Sequence, residues 1–470
     1  MSAAPAPQAD LSGPHFIGIG GAGMSGLAKI LALRGAKVSG SDAKDSTLML
    51  SLRQLGCDVH VGHAAGNLPP TATAVVVSSA IRADNPELVA AQERGVPVIH
   101  RADALARLMD GRRAVAVAGT HGKTTTTSML AVSLTSLGLD PSFAIGADLN
   151  EAGSNAHHGD GDVFVAEADE SDRSFHKYAP EVAIVLNVEL DHHANYADLD
   201  AVYESFEIFA HRITPGGTLI LSADDSGALA LRDRVAVSLP ELNIVTVGQA
   251  EGADLRMVRY EPQGLSAKIT VRFTADGSEQ AFEIAVPGRH NASNAVMALA
   301  AGRALGIDSG RMAEGLGNYR GVRRRFQLKG EANGVRVVDS YAHHPTEIAA
   351  DLETANQASG NGRVIAVYQP HLYSRTQELG AEMGRALAAA DIAVVMDIYA
   401  AREDAVPGIT SHIVAHAALE AGGLVRMQHG LADVPAAVAR MARPGDLVLT
   451  MGAGDVTLLG PEILEAIRLL

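Results

Sequence analysis

The residues with the strongest chemical bias stand between Ala114 and Met129, in AVAVAGTHGKTTTTSM. Small apolar residues from Ala114 to Ala118 read as a buried strand, a glycine-bounded turn follows, and a threonine run opens a helix. Gly119 and Gly122 let the backbone bend around Thr120 and His121 so that several N–H groups face inward. Lys123 adds a point charge, Thr125 continues the polar turn, and the Thr124 hydroxyl is placed to reach a Mg²⁺ ion on the same phosphates. The polyphosphate of a nucleotide is the natural guest. G-T-H-G-K-T departs from the common G-x-x-x-x-G-K-[ST] spacing, and an ordinary glycine turn with a solvated lysine is the competing reading; lysine and hydroxyl in register after the glycine favour the cradle.

Acids and imidazoles arrive at the ends of two further apolar runs. DVFVAEADESD is a strand that runs into carboxylates, and EVAIVLNVELDHH one that runs into Asp191, His192 and His193. In parallel α/β sheets such ends share an edge with the phosphate loop, so Glu167 and His192 could complete, with Thr124, the shell of a metal. Asp169, Glu170 and Asp172 read equally well as a solvated acidic loop, and His193 as a surface residue. Near the N-terminus, HFIGIGGAGMSGLA holds Gly18, Gly20 and Gly23 in the order G-x-G-x-x-G, and a second strand ends at Asp42. The pattern alone means a dinucleotide, but the same turn cradles the diphosphate of any nucleotide-linked molecule, with Ser41 or Asp42 near a ribose or phosphate. Ser78 and Ser79 also fall at a strand's C-terminal end. Further on, Asn291 and Asn294 precede an alanine-rich helix, as a cap or as readers of an adenine edge. Arg323, Arg324 and Arg325 form either a solvated loop or an anion contact at a domain junction.

The elements that must position these groups alternate strand and helix, and the fold class is α/β with three domains. After a disordered leader over residues 1–14, residues 15–111 read as a Rossmann-like domain and residues 112–320 as a central P-loop ATPase-like domain. Short alternating runs between Asp254 and Pro287 read as an antiparallel insertion in the latter. Residues 321–470 read as a C-terminal Rossmann-like α/β domain. The 470 residues accommodate roughly three cores at about 150 residues each. A formal charge of −16 argues against a nucleic-acid partner, and the single cysteine, Cys57, suits a reducing compartment. Neither an export signal nor an apolar span is evident, so the expectation is a cytoplasmic protein with no membrane partner.

Together, HFIGIGGAGMSGLA, GTHGKTTTTSM, AEADESD, NVELDH, GRHNASNA, RRRF, DSYAHHPTE and QPHLYSRT, in that order, resemble the Mur ligase family over essentially the whole chain. The resemblance implies a cytoplasmic, ATP-consuming, amide-forming enzyme of bacterial wall-precursor synthesis. Its reaction would join L-alanine to UDP-N-acetylmuramic acid through an acyl phosphate. It places UDP on Gly18, Gly20, Gly21, Gly23, Met24 and Ser25, with Ser41, Asp42, Ser78 and Ser79 nearby. ATP and Mg²⁺ go to Gly119–Thr125, Glu167 and His192, the adenine to Asn291 and Asn294, and the γ-phosphate to Arg325. Asp339 opens the family's D-D-Y-G-H-H-P-T-E pattern and is assigned to the nucleotide. Tyr341, His343 and Arg375 are assigned to the amino acid, and Lys123, Arg325, His343 and Arg375 to the reaction itself. Ser340, Ala342 and Leu372 depart from the family pattern, Leu372 standing where an arginine is usual. No lysine occurs from Tyr196 to His211, so the modified lysine that some relatives use as a metal bridge is absent there.

Rival readings are a relative that adds a whole tripeptide to the same sugar nucleotide, an NAD-dependent oxidoreductase, and a nucleotide-sensing module without turnover. The oxidoreductase leaves Lys123 unexplained, and the sensor leaves the acids and histidines at strand ends unexplained. A monomer or weak homodimer is the expected assembly.

Overall fold

Buried β runs parted by alanine-rich helices produce three sheets whose strand ends gather the polar loops. The computed structural model describes residues 9–146, 155–190, 195–401 and 403–469. The chain divides into two compact units. One comprises Met1–Arg256, Arg272–Gln280 and Val296–Leu316; the other comprises Met257–Val271, Ala281–Ala295 and Gly317–Leu470.

In the first unit, β1 (Pro14–Ile17), β2 (Ser39–Asp42), β3 (Asp58–Val61), β4 (Ala74–Val77) and β5 (Val98–His100) form a parallel sheet. Its order, β3-β2-β1-β4-β5, reverses direction at β1, which opens a crevice where Ile17 gives way to the first glycine turn. The apolar run that ends in His100 and Arg101 does not stay extended to its end: Arg101 lies beyond β5. Instead it starts the helix Arg101–Met109, because His100 and Asp103 form a capping box that stops β5. Part of the leader is tied down: Thr73 Oγ1 donates to the carbonyl of Asp10, and Arg107 Nη1 to that of Ala9.

A second sheet is built from β6 (Arg113–Ala118), β7 (Ser142–Ala144), β8 (Ala156–His157), β9 (Val163–Glu167), β10 (Val182–Val185), β11 (Thr218–Ser222), β12 (Asn243–Gly248), β13 (Leu255–Gln263), β14 (Ser266–Phe273) and β15 (Glu279–Ile284). The order is β15-β14-β13-β12-β11-β10-β6-β9-β7-β8. β6 runs parallel to both neighbours, β9 and β10, so the loops that follow all three emerge on one edge. The connections β13–β14 and β14–β15 are too short for a parallel crossover, which makes the segment antiparallel, as its alternating pattern predicts.

The second unit carries β16 (Gln327–Ala332), β17 (Val335–Ser340), β18 (Val364–Tyr368), β19 (Ile392–Met396), β20 (Val425–Gln428) and β21 (Leu447–Met451), in the order β16-β17-β21-β18-β19-β20. All pairs are parallel except β16–β17. Asn333 and Gly334, with φ of 48° and 77°, make the two-residue turn that folds β16 back as an antiparallel edge. β18, β19 and β21 are buried on both faces, which explains their uninterrupted apolar runs.

One buried polar hub braces the N-terminal sheet. Glu87, fully enclosed, accepts hydrogen bonds from Ser41 Oγ (2.5 Å), Asn67 Nδ2 (2.7 Å) and the Ala64 N–H (3.1 Å), and lies 3.2 Å from His15 Nε2. Burial alone would raise its pKa, but His15, Ser41, Asn67 and Ala64 outweigh burial and hold it at about 2 against an ordinary 4.5. A depressed carboxylate stabilises the fold above its unfolded pKa and loses that contribution as pH falls through the folded value. A displacement of this size corresponds to roughly 3 kcal/mol. Glu87→Gln is therefore expected to lose about 2–3 kcal/mol at neutral pH. The deficit should shrink towards zero as pH falls from 4.5 to about 2. Denaturant titrations across that window check this, and an equal deficit throughout would contradict it.

Candidate functional site

At the C-terminal end of β6 the chain turns through Gly119 and Gly122, whose φ of 132° and 86° are open to glycine and strained for other residues. Gly122 caps the helix Lys123–Ser136 and offers no side chain, so the first N–H groups of the helix are left for an anion. The turn is held from the chain beyond β10. Asn187 accepts the His121 N–H through Oδ1 (2.8 Å) and donates through Nδ2 to the His121 carbonyl (3.1 Å). Thr120 Oγ1 accepts the Glu189 N–H at 3.0 Å. Asn187 escaped the sequence reading, although it lies in the NVELDH stretch; its role exists only where two loops meet.

Lys123 Nζ donates to the carbonyls of Gly119 (2.6 Å) and Thr120 (3.3 Å) and to Glu170 Oε1 (2.8 Å). Burial opposes its charge, but Glu170, with Asp169 and Glu167 adding their fields, raises its pKa above the ordinary value, so the ammonium persists at neutral pH. Glu170 is 3% exposed. The acidic loop is accordingly not the solvated one that composition also allowed. Asp169 pairs with Arg101 at 2.6 Å, and Asp172 lies 3.5 Å from Arg101, 3.7 Å from His100 and 3.4 Å from Ser79 Oγ.

Thr124 is the second residue of the cradle helix, and Glu167 is the last of β9, its Oε1 accepting the Gly146 N–H at 2.8 Å. A hydroxyl and a carboxylate beside a phosphate loop are hard oxygen donors, the set that Mg²⁺ prefers. The donors present fit that ion. His192, the third expected ligand, lies outside the described residues, as do Asp191 and His193.

At the first glycine turn, Gly18 has φ 82°, and the N–H groups of Gly18 and Ile19 both reach the Ser41 carbonyl (2.8 and 2.9 Å). Asp42 Oδ2 accepts the Gly20 N–H at 2.9 Å, so this carboxylate braces the turn. Gly21 caps the helix Ala22–Leu33 without a side chain; its own N–H donates to the Gly18 carbonyl (3.2 Å), and the first N–H groups of the helix, where Gly23 is exposed, are left for a diphosphate. Three side chains assigned to the ligand are spent elsewhere. Met24 packs in the core, Ser25 Oγ donates to the Ala22 carbonyl, and the Ser41 hydroxyl is enclosed on Glu87. Ser78 and Ser79 follow β4, with Ser79 turned to Asp172.

In the second unit, the loops after β17 and β18 bring Tyr341, His343, His371 and Arg375 together. The His343 ring lies 5.3 Å from that of Tyr341 and 6.2 Å from that of His371. Its Nδ1 is 3.0 Å from the Tyr341 carbonyl, an acceptor only, so Nδ1 carries the proton and Nε2 the lone pair. Burial pushes its pKa down to about 4, Glu347 raising it and the charges of Arg375 and Arg325 lowering it further. A neutral imidazole of that basicity receives hydrogen bonds well and removes protons poorly. Arg375 sits in the first turn of the helix Tyr373–Leu387, and Leu372, just before that helix, holds the rare φ of 72°. Arg324 Nη2 rivets the turn after β21 through the carbonyls of Gly452 (2.6 Å) and Gly454 (3.0 Å). Arg324 and Arg325 lie 4.7 and 5.4 Å from the Tyr341 ring centre, which replaces the solvated-loop reading for these two, while Arg323 is exposed.

Asp339 is fully buried, its oxygens held by Thr450 Oγ1 (2.8 Å) and Thr457 Oγ1 (2.6 Å), so this side chain serves the sheet rather than an open nucleotide face. Ser340 Oγ donates to Asp351, whose pKa burial raises to about 7. Asn291 and Asn294 lie inside the helix Arg289–Ala304, not before it, which removes the capping reading. Both are buried on one face, and Asn291 Nδ2 donates to the Pro287 carbonyl at 2.6 Å.

Three family models match in sequence: the Mur ligase family, catalytic domain, over residues 14–113, the Mur ligase middle domain over 117–302, and the Mur ligase, glutamate ligase domain over 324–454. The chain belongs to the Mur ligase family. Among relatives of this Mur ligase, a UDP-N-acetylmuramate–L-alanine ligase of Streptomyces griseus subsp. griseus is 65% identical over 98% of each chain. One of Mycobacterium sp. (strain JLS) is 48% identical over 100% of this chain and 97% of its own. The crystal structure of the UDP-N-acetylmuramate-alanine ligase of Thermotoga maritima superposes with a TM-score of 0.79 at 28% identity, covering 96% of this chain and 98% of that one. A murein peptide ligase of Psychrobacter arcticus shares the fold, with a TM-score of 0.70 at 24% identity.

Asn187→Ala removes the two side-chain hydrogen bonds that hold His121 in the cradle of this Mur ligase. It is expected to raise the KM for ATP about tenfold while leaving the thermal midpoint near that of the wild type. Steady-state kinetics and melting curves check both halves, and an unchanged KM would show that the turn holds its shape without the amide.

Proposed function

We propose that this chain is the ligase that joins L-alanine to UDP-N-acetylmuramic acid, converting ATP to ADP and phosphate, in peptidoglycan precursor synthesis. Full-length identity to relatives bearing that name carries the reading, and a charged lysine in a braced anion cradle supports it. The NAD-dependent oxidoreductase recedes with the family assignment, and the tripeptide-adding relative with the 65% identity to an alanine ligase.

In this reading residues 15–111 hold the UDP part at the turn of Gly18, Gly20, Gly21 and Gly23, on the first N–H groups of the helix Ala22–Leu33. Residues 112–320 hold ATP, and residues 321–470 hold the amino acid. A carboxylate oxygen of the sugar nucleotide attacks the γ-phosphorus, the bond to ADP breaks, and the resulting acyl phosphate is opened by the alanine amine, which expels phosphate and loses a proton. Two anions must meet in the first step. Lys123 and Arg325 neutralise that approach, a positional and electrostatic form of catalysis. Thr124 and Glu167, with His192, would hold Mg²⁺, which when bound supplies further neutralisation of the phosphates. Asn291 and Asn294 take the adenine side. His343, with its lone pair at Nε2, orients the amine, and Arg375 grips the alanine carboxylate. The protein acts as a cytoplasmic monomer or weak homodimer without nucleic-acid or membrane partners; among the described residues no helix is long and apolar enough to cross a membrane.

The purified chain should release phosphate only when ATP, UDP-N-acetylmuramic acid and L-alanine are all present, and release without the amino acid at the same rate would contradict the reading. Arg375→Lys should raise the KM for alanine about tenfold or more and spare that for ATP, because an ammonium cannot reproduce the paired hydrogen bonds of a guanidinium. An unchanged KM for alanine would displace the acceptor site from Arg375.

A further inference from the structure

Two separate segments of the C-terminal cluster converge on one carboxylate that the reaction scheme leaves unused. Glu347 Oε1 lies 3.5 Å from Arg325 Nη1. Its Oε2 accepts the His343 N–H at 3.1 Å and lies 3.4 Å from His343 Nδ1. Glu347 also closes a capping box with His344 at the start of the helix Pro345–Ser359. A cap asks only for an acceptor oxygen; it does not ask for a charge. The charge has other work available, because the side chain is 13% exposed and its field is weakly screened.

Arg325 leaves a turn whose flanking residues, Arg324 and Phe326, have φ of 61° and 49°, so its backbone direction is set while its long side chain is not. Arg325 and Arg375 both act on His343 by their charge, and Glu347 is the anion that opposes them there. We propose that Glu347 is a positioning residue for the ligation reaction, holding the Arg325 guanidinium and the His343 ring in one arrangement through its two oxygens. This rests on the reading of Arg325 and His343 given above. A single carboxylate thereby sets the cation for the transferring phosphoryl group and the imidazole for the incoming amine, and a 1 Å displacement of either is costly.

The test compares Glu347→Gln with Glu347→Ala. The amide keeps an acceptor oxygen for the cap and removes the charge; alanine removes both. Glu347→Gln is expected to melt like the wild type, to lose about tenfold in kcat, and to keep its KM for the sugar nucleotide. Its acidic kcat limb should also move to lower pH. The groups facing His343 are Glu347, Arg325, Arg375, Tyr341 and His371, and removing the one carboxylate leaves the imidazolium less supported. A Gln variant with wild-type kcat and pH profile overturns the proposal, as does a loss confined to the Ala variant together with a lowered thermal midpoint, which would reduce Glu347 to a cap. A wild-type chain that fails to turn over its three substrates would instead overturn the functional reading.

Discussion

The phosphate cradle depends on a helix whose N-terminus has no side-chain cap. Gly122 supplies the left-handed residue that the turn needs and leaves the first N–H groups of Lys123–Ser136 without a side-chain cap. Such an end is costly unless something else fixes it or an anion satisfies it. The protein fixes the turn from outside, with Asn187 gripping both backbone groups of His121 and Glu189 closing on Thr120. Strand order makes this possible: β6 lies between β9 and β10, so the acidic loop after one neighbour and the asparagine after the other arrive on either side of the turn.

Charge within that arrangement is balanced rather than solvated. Lys123 is enclosed with Glu170, and Glu170 belongs to a loop whose other carboxylates are held by Arg101 and His100 at the end of the N-terminal sheet. Removing the lysine alone would take the ammonium partner from a buried carboxylate. The same economy recurs in the second unit, where Arg325 pairs with Glu347 and Arg324 lies 4.0 Å from Asp339 beside the Tyr341 ring. Glu170 keeps Lys123 charged, and burial keeps His343 neutral.

Much of this was legible in the residue order. Apolar runs gave the strands because parallel strands are buried on both faces, and glycine, lysine and threonine in register gave the strand, turn and helix around Lys123 because backbone bending and helix start are local events. What escaped depends on tertiary neighbours or on caps. The capping box at His100 starts a helix directly at the end of an apolar run, and the helix at Arg289 begins early enough to take in Asn291 and Asn294. The Asn333–Gly334 pair is a signal for the antiparallel edge that was present and went unused. Ser25, Ser41 and Asp339 carry polar atoms in ligand-like positions along the chain, yet the fold spends those atoms internally. No spacing rule distinguishes a hydroxyl that faces a ligand from one that faces a buried carboxylate, and none reveals that Asn187, Glu170 and Glu347 meet their partners across loops.

The central claim is that Lys123 contributes charge to phosphoryl transfer, while Glu170 sustains that charge. Phosphate release should be measured with all three substrates for Lys123→Ala and for the double variant Lys123→Ala/Glu170→Gln, alongside their melting curves. The account predicts that the single variant is inactive and less stable. It predicts that the double variant recovers stability, because no buried carboxylate is left unpaired, yet remains inactive. A double variant turning over within about tenfold of the wild type, a difference of ~1.4 kcal/mol, would contradict it.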